Sequence, residues 1–218
     1  MNSNKNNKIE SFTIKNRING ERLYPALRNT KEGEIYGYIN SRGMFAIEPA
    51  YSSAYDFNSG GLAIVRVGEK FGAINKNGEY VIKPIYDSIS NFKENRAIWV
   101  FNNYMGVINE KGNVITNKRY NFISDYSEGR AVVGFSNNNG SFRYGYIDLE
   151  GYDIIAPIYL EANSFNEGVA LVKFNEREYR LINPYGQIVN TYNYSYVSQY
   201  GDGLMVFGNS FEGPLGYI

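Results

Sequence analysis

The chain has 218 residues, carries 22 Lys and Arg against 22 Asp and Glu, and contains neither His nor Cys. Without His and Cys it can form no Ser-His-Asp triad, Cys-His dyad, His-ligated metal site, disulfide or thiolate zinc site. Its formal net charge of zero gives no electrostatic footprint for nucleic acid or an anionic membrane. We therefore expect no enzyme, no cofactor and no metal.

The composition and the N-terminal residues indicate the class of protein. The chain has 21 Tyr, 13 Phe and 23 Gly but only one Trp, which favours strands and turns. No stretch approaches the roughly 20 apolar residues of a membrane span. Residues 1–8 are rich in Asn and Lys without a following apolar segment, so we expect a cytoplasmic location. Residues 1–10 are expected to form a disordered tail, and residues 11–218 a single β-repeat domain.

A recurring tetrad, such as Tyr36-Gly37-Tyr38-Ile39, is the strongest pattern in the sequence. Its second position serves as the anchor of each unit, and successive anchors are 35, 34, 39, 35 and 36 residues apart. The anchors are Gly37, Gly72, Gly106, Gly145, Arg180 and Gly216. A fixed period of this length predicts a tandem repeat.

Each unit is predicted to contain three strands, which are described here in chain order. Residues 22–28 and a turn at 30–34 predict a leading strand before the first anchor. The anchor strand (strand a) is followed by Asx-x-x-Gly, as in Asn75-Lys76-Asn77-Gly78, which is typical of a type I turn with a left-handed Gly. A second strand (strand b) then follows, at residues 44–47 or 80–82 for example, and we expect Pro49, Pro84 and Pro157 to end it. A connector leads to a third strand (strand c), at residues 62–67, 97–101, 131–135, 170–174 and 204–207.

Aromatic residues also recur at fixed offsets in the connectors. One set is Tyr51, Tyr86, Tyr120, Tyr159 and Tyr194, and its partners are Phe57, Phe92, Tyr126, Phe165 and Tyr200. They could form a ladder of sugar-stacking platforms, but a residue kept in every unit is best explained by the packing that every unit shares. The single Trp, Trp99, is likewise expected to fill the core.

The predicted fold is all-β: a tandem array of about five three-stranded antiparallel β-meander repeats of about 35 residues, with a closing hairpin. Three strands in so few residues are short for a propeller blade of about 40–45 residues. We therefore favour an open, solenoid-like superhelical array, with a closed β-propeller-like array as the alternative.

Departures from the repeat are the better candidates for function, because packing does not require them. The c–a turn at residues 135–143 is longer than its equivalents: 14 residues separate Ala131 from its anchor, against nine in the two units before it. Loops on a rigid scaffold often carry binding residues, and a regular array would place the c–a turns along one rim. The partner-binding candidates from these turns are Tyr104, Asn137, Asn138, Asn139, Phe142, Arg143, Arg177 and Phe211.

These markers resemble the WG-repeat (KWG-repeat) family of bacterial β-repeat proteins. The family's unit reads Trp-Gly-Tyr-Ile-Asp-x-x-Gly, then Ile-x-Pro-x-Tyr and Phe-x-x-Gly-x-Ala, and the resemblance covers about residues 22–218. The family's Trp is replaced by Tyr36, Phe71, Met105, Tyr144, Tyr179 and Leu215. The resemblance implies a β-repeat scaffold and transfers no catalytic residue.

The first functional hypothesis is a non-enzymatic scaffold that binds another protein, such as an inhibitor, immunity or effector-associated module. Exposed Tyr, Asn and Arg side chains would contact the partner, since Tyr gives a large contact area at low entropic cost. The alternative is a carbohydrate or cell-wall binding module that stacks sugars on exposed Tyr. Neither hypothesis involves nucleic acid or a membrane.

Overall fold

A computed structural model describes residues 21–31, 33–136, 140–198, 200–209 and 215–217. Every helix or strand assigned within these ranges is a β-strand, which confirms the predicted all-β class. The same ranges hold no helix with the length and apolar character needed to cross a membrane. The predicted tail at residues 1–10 lies outside the described residues.

The strands follow one another as successive antiparallel groups, numbered here as sheets 1 to 6. Sheets 1 and 2 contain β1 (Tyr24–Thr30), β2 (Gly33–Ile39) and β3 (Phe45–Tyr51), then β4 (Ser53–Ala54), β5 (Leu62–Val67), β6 (Lys70–Asn75) and β7 (Tyr80–Tyr86). Sheets 3 and 4 contain β8 (Ser88–Ile89), β9 (Arg96–Phe101) and β10 (Tyr104–Asn109), then β11 (Phe122–Ile123), β12 (Ala131–Ser136), β13 (Phe142–Ile147) and β14 (Asp153–Tyr159). Sheets 5 and 6 contain β15 (Glu161–Ala162), β16 (Ala170–Asn175), β17 (Glu178–Ile182) and β18 (Ile188–Tyr192), then β19 (Tyr196–Val197), β20 (Val206–Gly208) and β21 (Leu215–Tyr217).

The c–a–b meander is confirmed, and a short fourth strand is added to it. In sheets 2, 4 and 5 the order across the sheet is short strand, strand c, strand a, strand b. The short strand comes from the connector, where Ser53 pairs with Arg66 in sheet 2 and Phe122 pairs with Gly134 in sheet 4. This short strand could not be predicted from the sequence, because two residues are too few to show the alternation of apolar and polar side chains that marks a strand.

The turn between strands a and b has the predicted geometry. In sheet 2 the Asn75 carbonyl accepts from the Gly78 N–H at 2.9 Å, while Asn75 Oδ1 accepts from the Asn77 N–H at 2.9 Å. Gly78 has a φ of +80°, the left-handed conformation that a β-branched residue resists. The Asx residue therefore starts the turn, and the glycine closes it.

The prediction that proline ends strand b is wrong, because strand b continues past the proline to the next Tyr. In sheet 2, Phe71 pairs with Tyr86 and Ala73 pairs with Ile82, so strand b carries two extra residues opposite Gly72. Pro84 lies in this bulge, where the ladder is interrupted and no N–H is needed. Pro49 and Pro157 lie in the equivalent shifts of β3 and β14.

The anchor glycine is required by the same bulge. A Cβ on Gly72 would lie 2.5 Å from the Ile82 carbonyl oxygen and 2.8 Å from the Pro84 nitrogen. Gly37 meets Ile47 and Pro49 in the same way. Close approach of two backbones, rather than a positive φ, therefore explains the anchor glycine.

The fifth repeat lacks both the anchor glycine and the bulge. Arg180 replaces the anchor glycine, and strand b has no proline. There Tyr179, Arg180 and Leu181 pair in unbroken register with Tyr192, Thr191 and Asn190. The glycine and the bulge are lost together, whereas the third repeat keeps Gly106 and a shifted pairing of Met105 with Tyr120 although Lys118 replaces the proline. The bulge therefore depends on the glycine and not on the proline.

The contacts divide the chain into two compact units. The first runs to Phe92 and includes Trp99–Phe101 and Glu110–Asn113, and the second holds Lys93–Ile98, Asn102–Asn109 and the chain from Val114 onward. Within each unit the apolar core lies between successive sheets. In the first unit, Tyr38 and Tyr51 of sheet 1 pack with Val65 and Ile74 of sheet 2. In the second, Tyr146 and Tyr159 of sheet 4 pack with Val172 and Ile182 of sheet 5.

Polar contacts also join repeats that follow one another in the second unit. Glu94 and Glu128 lie in tight turns at positive φ, and their carboxylates accept from the N–H groups of Gly129 and Gly168 at 2.9 Å. The Arg130 guanidinium reaches forward to the Pro184 carbonyl at 3.1 Å. Each turn is thus held by the turn of the repeat after it.

Several tyrosine hydroxyls are buried in the cores and donate to backbone carbonyls. Tyr38 donates to Tyr55 at 2.8 Å, Tyr126 to Asp148 at 2.9 Å, and Tyr146 to Asn163 at 2.7 Å. Burial raises the pKa of Tyr38, Tyr126 and Tyr146 above the ordinary tyrosine value, because a phenolate would be poorly solvated there.

We predict that Gly72→Ala lowers the free energy of unfolding by about 2–4 kcal/mol. The added methyl group meets backbone atoms of β7 that cannot move without disturbing the bulge. Urea denaturation followed by circular dichroism measures the change.

Gly201→Ala is the matched control, because a Cβ there meets no atom within 4 Å and Gly201 lacks a positive φ. Its free energy of unfolding should stay within about 0.5 kcal/mol of the parent. Equal effects of the two substitutions would contradict the close-approach explanation.

We also predict that the fold loses stability as the pH rises above about 10, where tyrosines of the unfolded chain ionise. The folded pKa values are raised, so the folded chain keeps protons that the unfolded chain releases. Stability is therefore complete below pH 10 and declines through the alkaline range.

Urea titrations at pH 8, 10 and 11 measure this decline. Tyr146→Phe should cost about 1 kcal/mol at pH 8 for the lost hydrogen bond and should flatten the alkaline decline. An alkaline decline as steep as that of the parent would contradict the assignment to this hydroxyl.

Candidate binding surface: an aromatic cluster on the fourth sheet

A row of paired residues crosses each sheet at the aromatic position before the anchor. In sheet 2 the row is Ser53, Arg66 and Phe71, and in sheet 5 it is Glu161, Lys173 and Tyr179. In both sheets the cation from strand c lies over the ring from strand a. Arg66 is 5.7 Å from the Phe71 ring centroid, and Lys173 Nζ is 5.5 Å from that of Tyr179.

The row of sheet 4 differs from these two, because it consists of Phe122, Gly134 and Tyr144. The row of sheet 6 has a similar pair, Tyr196 and Gly208, but Leu215 takes the place of the ring on strand a. In sheet 4 the glycine leaves space that rings occupy: a Cβ on Gly134 would lie 2.6 Å from the Phe142 ring and 3.1 Å from Phe122 Cβ. Tyr144 lies 5.8 Å from Phe122, edge to face, and 5.4 Å from Phe142. We call Phe122, Phe142 and Tyr144 the aromatic cluster.

The aromatic cluster is partly open to solvent. Phe122 is 38% exposed, whereas Phe142 and Tyr144 are half-buried. Tyr144 also packs against the core between sheets 4 and 5, so the cluster is supported from below. Rings held on a sheet in this way offer a fixed apolar contact area to a ligand.

Hydrogen bonds fix the two ends of the inserted c–a turn beside the cluster. The Arg143 guanidinium donates to the Phe142 carbonyl at 2.8 Å, and the Ser136 N–H donates to Asn121 Oδ1 at 3.0 Å. Arg143 also pairs with Phe135 across the hairpin. The residues at the base of the turn are thus ordered next to the rings.

The predicted candidates fall into three groups. Phe142 and Arg143 lie at the aromatic cluster, at the end of the inserted turn. Tyr104 is 43% exposed at the start of β10, with the Arg119 guanidinium 5.8 Å from its ring, and Arg177 is exposed in the β16–β17 turn. The remaining candidates, Asn137, Asn138, Asn139 and Phe211, lie outside the described residues.

Phe122 and Gly134 were missed by the sequence analysis. The pairing of strands c with the short strands shows how these two positions differ between repeats. In sheets 2, 3 and 5 the equivalents of Phe122 are Ser53, Ser88 and Glu161, and those of Gly134 are Arg66, Val100 and Lys173, while sheet 6 has Tyr196 and Gly208 there. Two departures paired across neighbouring strands become visible only when the short strand is known.

The recurrent aromatic residues have the packing role that the sequence indicated. Tyr51, Tyr120 and Tyr159 are at most 5% exposed, so they cannot serve as sugar-stacking platforms, while Tyr86 and Tyr194 are half-buried and pack against Trp99 and Phe207. Trp99 is also buried and stacks on Tyr86, with ring centroids 5.5 Å apart. Among the described residues no group of three or more His, Cys, Asp or Glu side chains could hold a metal ion.

Comparisons with solved structures return weak likenesses. Hsv2p from Kluyveromyces lactis has 9% identity and a TM-score of 0.45, over 85% of this chain and 70% of that one. Hsv2 from Kluyveromyces marxianus has 10% identity and a TM-score of 0.44, over 86% and 73%. BamB from Moraxella catarrhalis has 9% identity and a TM-score of 0.37, over 84% and 66%. No curated protein matches the sequence.

The comparison with protein families is specific. The family described as WG containing repeat matches four consecutive segments, at residues 36–71, 71–104, 105–139 and 144–177. Each match begins at or beside the aromatic position before an anchor, and the segments follow the period of the sheets. The chain therefore belongs to the WG-repeat family of β-repeat proteins.

Proposed function

We propose that this chain is a non-enzymatic β-repeat scaffold that binds another protein, and that the partner docks on the aromatic cluster of sheet 4. The observation that carries the proposal is the partly exposed ring set of Phe122, Phe142 and Tyr144, placed over Gly134 beside the inserted turn. An inhibitor, immunity or effector-associated role would use such a surface.

The first support is that packing between repeats does not need the cluster. Sheets 2 and 3 fold with Ser53 and Ser88 at the position of Phe122 and with Arg66 and Val100 at the position of Gly134. Sheet 6 pairs Tyr196 with Gly208, but its strand a contributes Leu215 and no ring. Among the described sheets, sheet 4 combines this aromatic–glycine pair with a ring on strand a and a lengthened turn, which favours a role outside the core.

The second support is chemical. Aromatic residues and Arg are enriched in the buried centres of protein interfaces, where rigid rings give contact area at low entropic cost. Arg143 lies beside the rings and adds a donor. The zero net charge of the chain favours recognition by shape and hydrogen bonds over long-range steering.

Carbohydrate is the competing ligand, because exposed ring faces also stack on sugars. Two of the three rings are phenyl groups, which offer no hydrogen bond to a sugar hydroxyl. Desolvating a hydroxyl without a partner is costly, so the cluster suits an apolar protein side chain better.

Phe122→Ser is the sharpest test, because it gives sheet 4 the residue that Ser53 and Ser88 supply in sheets 2 and 3. We predict that the variant folds and loses at least about tenfold in partner affinity, as expected for an aromatic anchor. Partners captured from a lysate of the source cells, identified by mass spectrometry and purified, would be titrated by calorimetry.

The matched control is Ile154→Ser on β14, a residue of similar exposure at 39%, and it should leave the affinity unchanged. A panel of cell-wall polysaccharides is assayed in parallel. Sugar binding without a protein partner, or a partner affinity that Phe122→Ser leaves unchanged, would overturn the proposal.

A further inference from the structure

Strand b lies at the edge of its sheet in sheets 1, 2, 4 and 5, so one side of its backbone is free to pair. Exposed sheet edges invite pairing with other chains, and proteins block them with proline, bulges and charged side chains. Three of these four edges carry such blocks. Pro49, Pro84 and Pro157 each lie in a bulge, and the same strands carry Glu48, Lys83 and Asp153.

The edge of sheet 5 carries none of these blocks. β18 has no proline, and it keeps only the one-residue shift beside the hairpin turn that the other b strands also show. Residues 187–196, which read QIVNTYNYSY, contain no charged residue, Gly or Pro. A segment of this kind, rich in β-formers and uncharged, is the type that pairs readily with another strand.

The side chains and the backbone of β18 are both accessible. Ile188 and Val189 are 52% and 57% exposed. The Thr191 N–H donates to the side chain of its neighbour, Asn190 Oδ1, at 2.8 Å. The Asn190 Nδ2 also donates to the Tyr192 hydroxyl at 3.1 Å, so both bonds are local to β18, and the carbonyl of an incoming strand can replace the Asn190 oxygen at the Thr191 N–H.

We propose that β18 is a strand-pairing edge and that its partner is β18 of a second copy of this chain, joined antiparallel about a two-fold axis. A two-fold contact places the residue at the axis opposite itself and brings the two copies of its neighbours close together, so like charges near the axis would repel. The uncharged segment avoids this, and two chains of zero net charge do not repel. A charged edge would instead suit a foreign strand of opposite charge.

The experiment exchanges Thr191, which is exposed in β18 beside the central residue Asn190, for a residue of either charge. The parent chain should form a dimer with a concentration-dependent mass in sedimentation equilibrium. Thr191→Lys alone and Thr191→Glu alone should each raise the dimer Kd at least about fivefold, because like charges meet across the axis. An equimolar mixture of the two variants should recover the parent affinity.

The matched control places the same two charges at Ile158 of β14, which is 48% exposed on a blocked edge, and should leave the dimer Kd unchanged. A parent chain that stays monomeric at all concentrations overturns the proposal, and so does a mixture no tighter than its components. Phe122→Ser lies on another sheet and should dimerise normally, so this result is independent of the proposed partner site.

Discussion

Within each compact unit, the stacking of one sheet on the next is the interaction on which the rest of the structure depends. The apolar residues of a sheet are buried against its neighbour: Tyr38 and Ile47 of sheet 1 share one core with Val65 and Ile74 of sheet 2. The hairpin glycine lets the next turn approach: a Cβ on Gly186 would lie 3.1 Å from the Ile155 side chain of the preceding repeat. Stability in such an array is a sum over neighbouring pairs of repeats. Any residue that sets the distance between two sheets is therefore constrained in every repeat.

This constraint explains why so much of the fold could be predicted from the sequence. A structural requirement shared by every repeat places the same residue types at the same positions of each repeat. The period, the a–b turn and the packing role of Tyr51 or Tyr159 could therefore be predicted from the sequence. The short fourth strand was not, because two residues such as Ser53 and Ala54 have too little length for a periodic signal. The role of proline was misread because a local rule, that proline cannot donate to a ladder, does not reveal a bulge formed by a glycine on the neighbouring strand.

For the same reason, only part of the candidate site could be predicted from the sequence. Phe142 and Arg143 stood out because an insertion beside them broke the period. Phe122 and Gly134 are single substitutions within the period, and their common meaning lies in their pairing across β11 and β12. Phe142, whose ring lies nearest to Gly134, is on the predicted c–a hairpin. Phe122 is brought to Gly134 by β11, and this short strand could not be predicted from the sequence.

The fifth repeat shows how relaxing one shared constraint can create a new surface. The anchor glycine, the bulge and the proline together let strand b fold closely over strand a, and they also block its outer edge. With Arg180 at the anchor the bulge has no space, the proline has no bulge to occupy, and β18 keeps only the one-residue shift beside the hairpin turn. The edge is then open as a direct consequence of the change at the anchor. The anchor, where Gly37, Gly72 and Gly145 serve close backbone packing, thereby determines in the fifth repeat what the molecule can present to another chain.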